Sequence, residues 1–141
     1  MKIEVKYHAD ITPLAMTEKG DWCDLRVAED VNLKAGEYKL ISLGVSMKLP
    51  EGYEAVIIPR SSTFKTWGII QTNHFGLIDE SYCGNSDVWH FPALATKDTV
   101  IAKDSRICQF RIQKKMDKIE FETVQYLSNP NRGGIGSTGV K

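Results

Sequence analysis

The sequence contains 141 residues, with 18 Lys or Arg against 18 Asp or Glu, and therefore carries a formal net charge of zero. A chain of this length forms a single domain with a core of its own. Its balanced charge argues against non-specific nucleic-acid binding, which requires a basic surface. The N-terminal segment lacks the apolar core of a signal peptide, and no apolar run is long enough to cross a bilayer. We therefore predict a soluble, intracellular protein without membrane contact or direct nucleic-acid binding.

Short strands separated by turns dominate the predicted secondary structure. They show as alternating apolar and polar residues, or as short β-branched runs that stop at Gly or Pro. The predicted strands cover residues 3–7, 38–49, 53–58, 100–102, 107–112 and 119–124. One short helix is predicted over residues 63–67, capped by Ser61 or Ser62 and ended by Gly68. This pattern is typical of an all-β sandwich or barrel.

Residues 128–141 differ in composition from the rest of the chain. They hold four of the eleven glycines, together with Ser, Thr, Asn and one Pro, and show no periodic apolar face. We therefore divide the chain into a β core, residues 1–127, and a flexible Gly-rich C-terminal arm, residues 128–141.

Two segments in the first half of the chain offer groups for a phosphorylated ligand. Asp24 is either a surface turn residue or a hard oxygen ligand for Mg2+, directly or through water. Arg60 carries a planar fork of donors that matches phosphate oxygens, and Ser61 and Ser62 add hydroxyl groups beside it. The same residues are equally compatible with a capped helix start and a solvated arginine.

The segment from Asn73 to Gly84 has the composition of a hairpin that surrounds one small ligand. The amide of Asn73 is able to pair with a base edge, and Asp79 is able to accept a proton from an attacking water. Tyr82 is able to lie flat against a sugar and to leave no room for a 2′-hydroxyl. The alternative is an ordinary hairpin in which Asp79 occupies the turn and Tyr82 packs in the core.

Two further features are compatible with ligand binding. Gln109 lies in a predicted strand between apolar neighbours, so its amide either meets a ligand or faces solvent on the other side of the strand. The C-terminal arm supplies Arg132, hydroxyl groups, and glycines whose backbone N–H groups approach phosphate oxygens closely. Without such a function, a Gly-rich terminus is commonly disordered.

Taken together and in this order, the segments resemble the five motifs of the trimeric dUTPases (deoxyuridine 5′-triphosphate nucleotidohydrolases). The most specific parts are Pro59-Arg60-Ser61-Ser62, Gly76-Leu77-Ile78-Asp79 with Tyr82 and Gly84, Arg106-Ile107-Cys108-Gln109, and residues 132–139. The resemblance implies an all-β, jelly-roll-like β-clip fold with one short helix. It also implies a homotrimer in which the arm of one chain closes over an active site formed by its neighbours.

The implied reaction is the Mg2+-dependent hydrolysis of dUTP to dUMP and pyrophosphate. In a cell this reaction limits uracil in DNA and supplies dUMP for dTMP synthesis. The expected location is the cytoplasm of a bacterial cell or of a phage-infected host cell.

The resemblance also implies a role for each site residue. Asp79 would deprotonate the water that attacks the α-phosphorus, and Asp24 would contact Mg2+ through water. The residues implied to bind dUTP are Arg60, Ser61, Ser62, Asn73, Gly76, Leu77, Ile78, Tyr82, Gln109, Arg132, Gly134, Ile135, Gly136, Ser137 and Thr138. Ile135 stands where the family has a phenylalanine that stacks on uracil, so we expect a base that is covered but not stacked.

Two alternatives accompany this interpretation. A dCTP deaminase shares the fold, releases ammonia and uses a glutamate near the hairpin as proton carrier, a position at which Glu80 is available. A dUTPase with an added regulatory role would also bind a protein partner, and the altered arm is compatible with such use.

Overall fold

The computed structural model describes residues 1–136 and 139–141, and it is almost entirely β. The strands are β1 Glu4–Tyr7, β2 Cys23–Arg26, β3 Val31–Leu33, β4 Tyr38–Ser42, β5 Val45–Lys48, β6 Tyr53–Pro59, β7 Ile69–Gln71, β8 Gly76–Ile78, β9 His90–Ala95, β10 Thr99–Ile101 and β11 Arg106–Lys114. The helix of the described chain, α1, spans Thr63–Trp67. The prediction of an all-β fold with one short helix is therefore confirmed. In the part of the chain that is described, no helix has the length and hydropathy to cross a bilayer.

The strands pair antiparallel in four small sheets. The sheet orders are β1-β5, β10-β3, β2-β11-β6-β8 and β4-β9-β7. Most neighbours are distant in sequence, so the fold depends on long-range pairing rather than on consecutive hairpins. In the four-stranded sheet, β2 and β8 form the two edges, and β11 and β6 lie between them.

The core lies between the sheets and follows the alternation of apolar residues along the strands. In β2, Cys23 and Leu25 point inwards, so Asp24 and Arg26 point outwards. Trp89, for which the sequence indicated no role, is completely buried in this core. Its ring meets Phe110 edge to face, with 5.2 Å between the ring centroids. The segment before β9 is thus anchored by a large core residue.

A bulge in β11 sets the direction of Gln109. The pairing of β11 with β2 shifts register between Arg106 and Cys108, and both Ile107 and Cys108 are buried. An extra residue at a bulge changes which face the following side chains occupy. Gln109 consequently pairs with Asp24 across the strands and lies on the outward face beside it.

The predicted strand over residues 38–49 is in fact two strands. β4 ends at Ser42 and β5 begins at Val45, with Gly44 between them at φ 68°. A positive φ is accessible to glycine without steric cost and turns the chain sharply. As a result, β4 joins the sheet of β9 while β5 pairs with β1.

The predicted strand over residues 119–124 is wrong, because the described chain ends its last strand at Lys114. The apolar residues that suggested a strand are exposed, with Phe121 90% and Ile119 53% accessible. Alternation alone does not form a strand when no partner strand within the chain supplies hydrogen bonds. The division of the chain at residue 127 into core and arm stays a prediction.

The helix was placed correctly, but its start is stabilised differently from the prediction. Ser62 occupies the N-cap position and makes no side-chain cap hydrogen bond. Instead, the hydroxyl of buried Thr63 accepts from the backbone N–H of Arg60 at 2.9 Å and donates to the carbonyl of Ile107 at 2.6 Å. Gly68 ends the helix in the left-handed region, as its position in the sequence predicts.

Candidate active site

Three of the predicted residues, Asp24, Arg60 and Gln109, form a charged cluster with Arg106. The cluster lies on β2 and β11 and at the end of β6, and we call it the phosphate-side cluster. Asp24 Oδ1 lies 3.2 Å from Arg60 Nε, and Asp24 Oδ2 lies 3.2 Å from Arg106 Nη1. Arg60 Nη1 also donates to the carbonyl oxygen of Arg106 at 3.2 Å. The single carboxylate therefore holds two guanidinium groups side by side, and that of Arg60 lines a cavity.

This cavity has a volume of about 630 Å3 and an open mouth. Asp24, Arg60, Ser61 and Gln109 line one side, and residues of the loop before β2, including Lys19 and Asp21, line the other. Gln109 is half-buried, and its Nε2 donates to the carbonyl oxygen of Pro59 at 3.1 Å. Its side chain thus faces the cavity and is held there by the backbone of β6, rather than being turned to open solvent.

The second group forms a separate cluster around β8, which we call the nucleoside hairpin: Asn73, Leu77, Ile78, Asp79 and Tyr82. These residues line a cavity of about 280 Å3 together with side chains of β4 and β9. The Tyr82 hydroxyl donates to the carbonyl oxygen of Val88 at 2.9 Å, so the ring is fixed on the surface and not packed in the core. Asp79 is exposed, and its backbone carbonyl accepts from the Tyr82 N–H at 3.0 Å to form the turn.

The backbone of the hairpin is also available to a ligand. β8 is an edge strand of its sheet and pairs with β6 on one side. The unpaired N–H and C=O groups of an edge strand act as a template for external hydrogen bonds. Gly76 begins this strand where a Cβ atom would lie only 3.0 Å from Gln71 Nε2 and 3.2 Å from Ile57 Cβ. Close packing therefore favours glycine at this position.

The two clusters lie apart in the described chain and line different cavities. Arg60 directly follows the end of β6, whereas Asp79 follows Ile78, which pairs with Ala55 near the start of β6. At the ordinary rise of a strand, the chain from Ala55 to Arg60 spans roughly 16 Å. One chain therefore does not bring Asp79 and Arg60 together around a single small ligand.

Sequence reasoning missed several supporting residues. Arg106 was noticed only as part of a motif, and Thr63, Gln71 and Lys115 were given no role. Lys115 donates to Glu80 Oε1 at 2.7 Å, and the Gly52 N–H donates to the other oxygen of the same carboxylate. These two hydrogen bonds lower the pKa of Glu80, the one from Lys115 contributing most. Nothing in the local sequence indicates such partners, because they lie 28 and 35 residues away.

The arm residues predicted to bind the ligand lie away from both clusters. Arg132, Gly134, Ile135 and Gly136 are exposed, and Ile135 adopts a φ of 46°. Ser137 and Thr138 lie outside the described residues. The described residues of the arm therefore line neither of the two cavities in a single chain.

Asp24 is the residue of the phosphate-side cluster that is able to contact a Mg2+ ion. Among the described residues, no three His, Cys, Asp or Glu side chains are grouped to hold a metal. A Mg2+ ion bound mainly by substrate phosphates and water needs only one or two protein carboxylates. The Asp24 side chain is 25% accessible and uses one lone pair on each oxygen for its arginines, which leaves acceptor sites for a metal-bound water. Asp24 therefore fits a water-mediated contact.

Comparison with known protein families decides the assignment. The dUTPase family model matches residues 14–139. The chain belongs to the dUTPase family. One curated relative is the SPbeta prophage-derived deoxyuridine 5′-triphosphate nucleotidohydrolase YosS of Bacillus subtilis. It is 56% identical to this chain over 142 residues, and the match covers 100% of both chains. The chain is accordingly assigned as an enzyme of the dUTP nucleotidohydrolase class.

Solved dUTPase structures share the fold. One is a mutant dUTPase of Staphylococcus bacteriophage 80alpha with dUpNHpp, which has a TM-score of 0.79, 19% identity and 99% coverage of both chains. Another is a mutant dUTPase from phage phi11 of S. aureus that coordinates a structural Mg(II) ion, with a TM-score of 0.78 and 16% identity. The matched region covers 92% of this chain and 100% of the phi11 chain. The jelly-roll-like dUTPase fold implied by the sequence is therefore confirmed.

Proposed function

We propose that this dUTPase acts as a homotrimer in which each active site combines the nucleoside hairpin of one chain with the phosphate-side cluster of another. The observation that carries the proposal is the separation of the two clusters: Arg60 lies beyond the end of β6, Asp79 lies near its start, and the clusters line different cavities. Each cluster carries only half of the groups that a nucleoside triphosphate requires. Rotation about a threefold axis brings unlike surfaces of neighbouring chains together and closes a ring.

The nucleoside hairpin would bind the deoxyuridine part of the substrate. Asn73 and the free edge of β8 would pair with the uracil, while Leu77 and Ile78 would cover its apolar surface. Tyr82, fixed by its bond to Val88, would lie against the deoxyribose and exclude a 2′-hydroxyl. A site built to hydrogen-bond one set of base edges rejects a base that leaves its buried groups unpaired.

Asp79 would act as the general base. Its exposed carboxylate, which in the described chain forms no ion pair, would orient and deprotonate the water that attacks the α-phosphorus. Pyrophosphate would leave in line with the attacking oxygen, and dUMP would remain on the hairpin. In-line displacement at phosphorus depends mainly on positioning and on neutralising charge, so the base needs few other groups near it.

The phosphate-side cluster of the neighbouring chain would hold the triphosphate. Arg60 would bind phosphate oxygens through its guanidinium fork, with the hydroxyls of Ser61 and Ser62 and the amide of Gln109 beside it. Mg2+ bound to the phosphates would neutralise part of their charge. Asp24 would hold a metal-bound water while keeping Arg60 in place.

The C-terminal arm of a further chain would close over the bound nucleotide. Arg132 and the N–H groups of Gly134 and Gly136 would contact the outer phosphates, with the hydroxyls of Ser137 and Thr138. Ile135 would cover the uracil. Ordering a mobile arm on substrate excludes water from the reacting phosphate and completes the set of donors around it.

Pyrophosphate release with Mg2+ tests this function directly when dUTP, dCTP, dTTP and UTP are compared and ammonia is assayed in parallel. We expect release from dUTP alone and no ammonia. Release from UTP at a similar rate would overturn the role given to Tyr82. A mass that corresponds to a monomer during turnover would overturn the shared site.

The deaminase alternative is not favoured by the geometry around Glu80. A proton carrier must exchange its proton near neutral pH. Lys115 and Gly52 occupy both oxygens of Glu80 and lower the pKa of its carboxyl group. The regulatory protein partner stays a hypothesis, to which no feature of the described residues contributes.

A further inference from the structure

Gln71 is a buried amide that connects the core to the nucleoside hairpin. It is the last residue of β7 and is only 2% accessible. Its Nε2 donates to the carbonyl oxygen of Ile57 at 3.0 Å and to Asn73 Oδ1 at 2.8 Å. The missing side chain of Gly76 makes room for this amide, since a Cβ atom there would lie 3.0 Å from Nε2.

The backbone of β6 decides which way the Gln71 amide faces. The Ile57 carbonyl is an acceptor only, so the group opposite it must be the nitrogen of Gln71. An amide nitrogen has two hydrogens, and the second meets Asn73 Oδ1. The acceptor atom of Asn73 is therefore occupied from the core side, and its donor atom, Nδ2, remains for a ligand in the cavity that Asn73 lines.

We propose that Gln71 is a positioning residue for base selection, which holds Asn73 with its donor towards position 4 of the pyrimidine. This inference rests on the proposed function, in which the nucleoside hairpin binds uracil. Uracil has a carbonyl at position 4, whereas cytosine has an amino donor there. A fixed donor pairs with uracil and meets a second donor in cytosine, so the preference for dUTP over dCTP originates at Gln71.

The decisive variant is Gln71→Glu, measured by the ratio of kcat/KM for dUTP to that for dCTP. A carboxyl group has at most one O–H donor, and the fixed carbonyl oxygen of Ile57 takes it. The remaining oxygen only accepts, so Asn73 would turn its Nδ2 towards residue 71 and present Oδ1 to the base. We expect the ratio to fall at least about tenfold, the change that corresponds to one hydrogen bond lost or reversed. An unchanged ratio in a folded, active Gln71→Glu enzyme would overturn the proposal.

A second variant keeps the test valid if a carboxylate is not tolerated in the core. Gln71→Met has a similar volume and no hydrogen-bonding group, which leaves the Asn73 amide free to adopt either orientation. The ratio should then fall about threefold to tenfold. A thermal melt of each variant separates this loss of selectivity from a general loss of folded enzyme, which lowers turnover of both nucleotides equally.

The Asn73→Ala background distinguishes positioning from an unspecific effect on the pocket. If Gln71 acts through Asn73, adding Gln71→Met to Asn73→Ala changes the ratio no further. A fall of the same size in both backgrounds would refute the proposed route. Calorimetry of dUMP and dCMP binding to the same proteins measures the base preference without turnover. If the proposed hydrolysis fails, the binding preference for dUMP can still be measured; if this inference fails, that preference is the same in the wild type and the Gln71 variants.

Discussion

The phosphate-side cluster and the nucleoside hairpin are held in place by different kinds of interaction. In the phosphate-side cluster, a carboxylate forms ion pairs with two arginines that lie on different segments, each at 3.2 Å. In the hairpin, Asn73 and Tyr82, which line its cavity, are held by neutral hydrogen bonds with Gln71 and Val88, and the ion pair of Glu80 with Lys115 anchors the loop between them. The neighbouring guanidinium groups of Arg60 and Arg106 repel each other when no anion lies between them. The carboxylate of Asp24 offsets that repulsion. A base-reading surface needs fixed donors and acceptors rather than charge.

The largest effect should come from removing the carboxylate of the hairpin. Asp79→Asn keeps the shape of the loop but is unable to accept the proton of the attacking water. We expect kcat to fall about 1000-fold, while calorimetry still detects binding of a non-hydrolysable dUTP analogue. Asp117→Asn, on the exposed segment after β11, is the control and should leave kcat unchanged. Near-normal turnover by Asp79→Asn would remove this residue as the base.

The second-largest effect should come from deleting the C-terminal arm, which belongs to neither cluster. Deleting residues 128–141 should lower kcat/KM about 100-fold, because the outer phosphates lose donors and the site stays open to water. Light scattering should still give the mass of a trimer. Deleting only residues 140 and 141 removes the end of the chain but not the Gly-rich segment, so it should have little effect. Full activity of the longer deletion would show that the arm is dispensable.

A smaller effect should follow when the ion pairs of the phosphate-side cluster are broken. Asp24→Asn leaves Arg60 and Arg106 without a counter-charge, and we expect kcat/KM for dUTP to fall about tenfold. Asp21→Asn is the matched control, since Asp21 lines the same cavity but pairs with Arg111 at 3.5 Å. If both variants lose activity equally, the pairing with the two arginines is not the reason.

The smallest effect should come from Glu80, which anchors the loop after Asp79. The hydrogen bonds from Lys115 and Gly52 lower its pKa in the folded chain below the ordinary value of 4.5. A lowered folded-state pKa stabilises the protein above the unfolded pKa and ceases to do so as pH falls through the folded value. Glu80→Gln should therefore lower Tm slightly at pH 7. When melts are repeated at decreasing pH, the difference in Tm between Glu80→Gln and the wild type should shrink only below about pH 4.5. A difference in Tm that stays constant at lower pH would contradict this linkage.

Much of the fold and the family could be predicted from short segments whose pattern has a local cause. The helix over residues 63–67 is bounded by Ser62 and Gly68, and the ends of several strands are marked by Gly or Pro. The strand predicted over residues 119–124 failed because alternation does not reveal whether a partner strand exists. β3, β7 and β9 were not predicted, since they are short or carry an internal Pro92, and only pairing within the sheets stabilises them.

The sequence by itself determined the family, because its motifs are local and ordered along the chain. The reacting groups that those motifs imply stay a prediction. Only the tertiary structure decided how those groups are arranged. The bulge in β11 turns Gln109 towards Asp24, and the Ile57 carbonyl fixes the amide of Gln71 and through it Asn73. The register of β8 on β6 places Asp79 and Arg60 towards opposite ends of β6. Each of these decisions depends on hydrogen bonds between residues far apart in the chain, which no local pattern encodes.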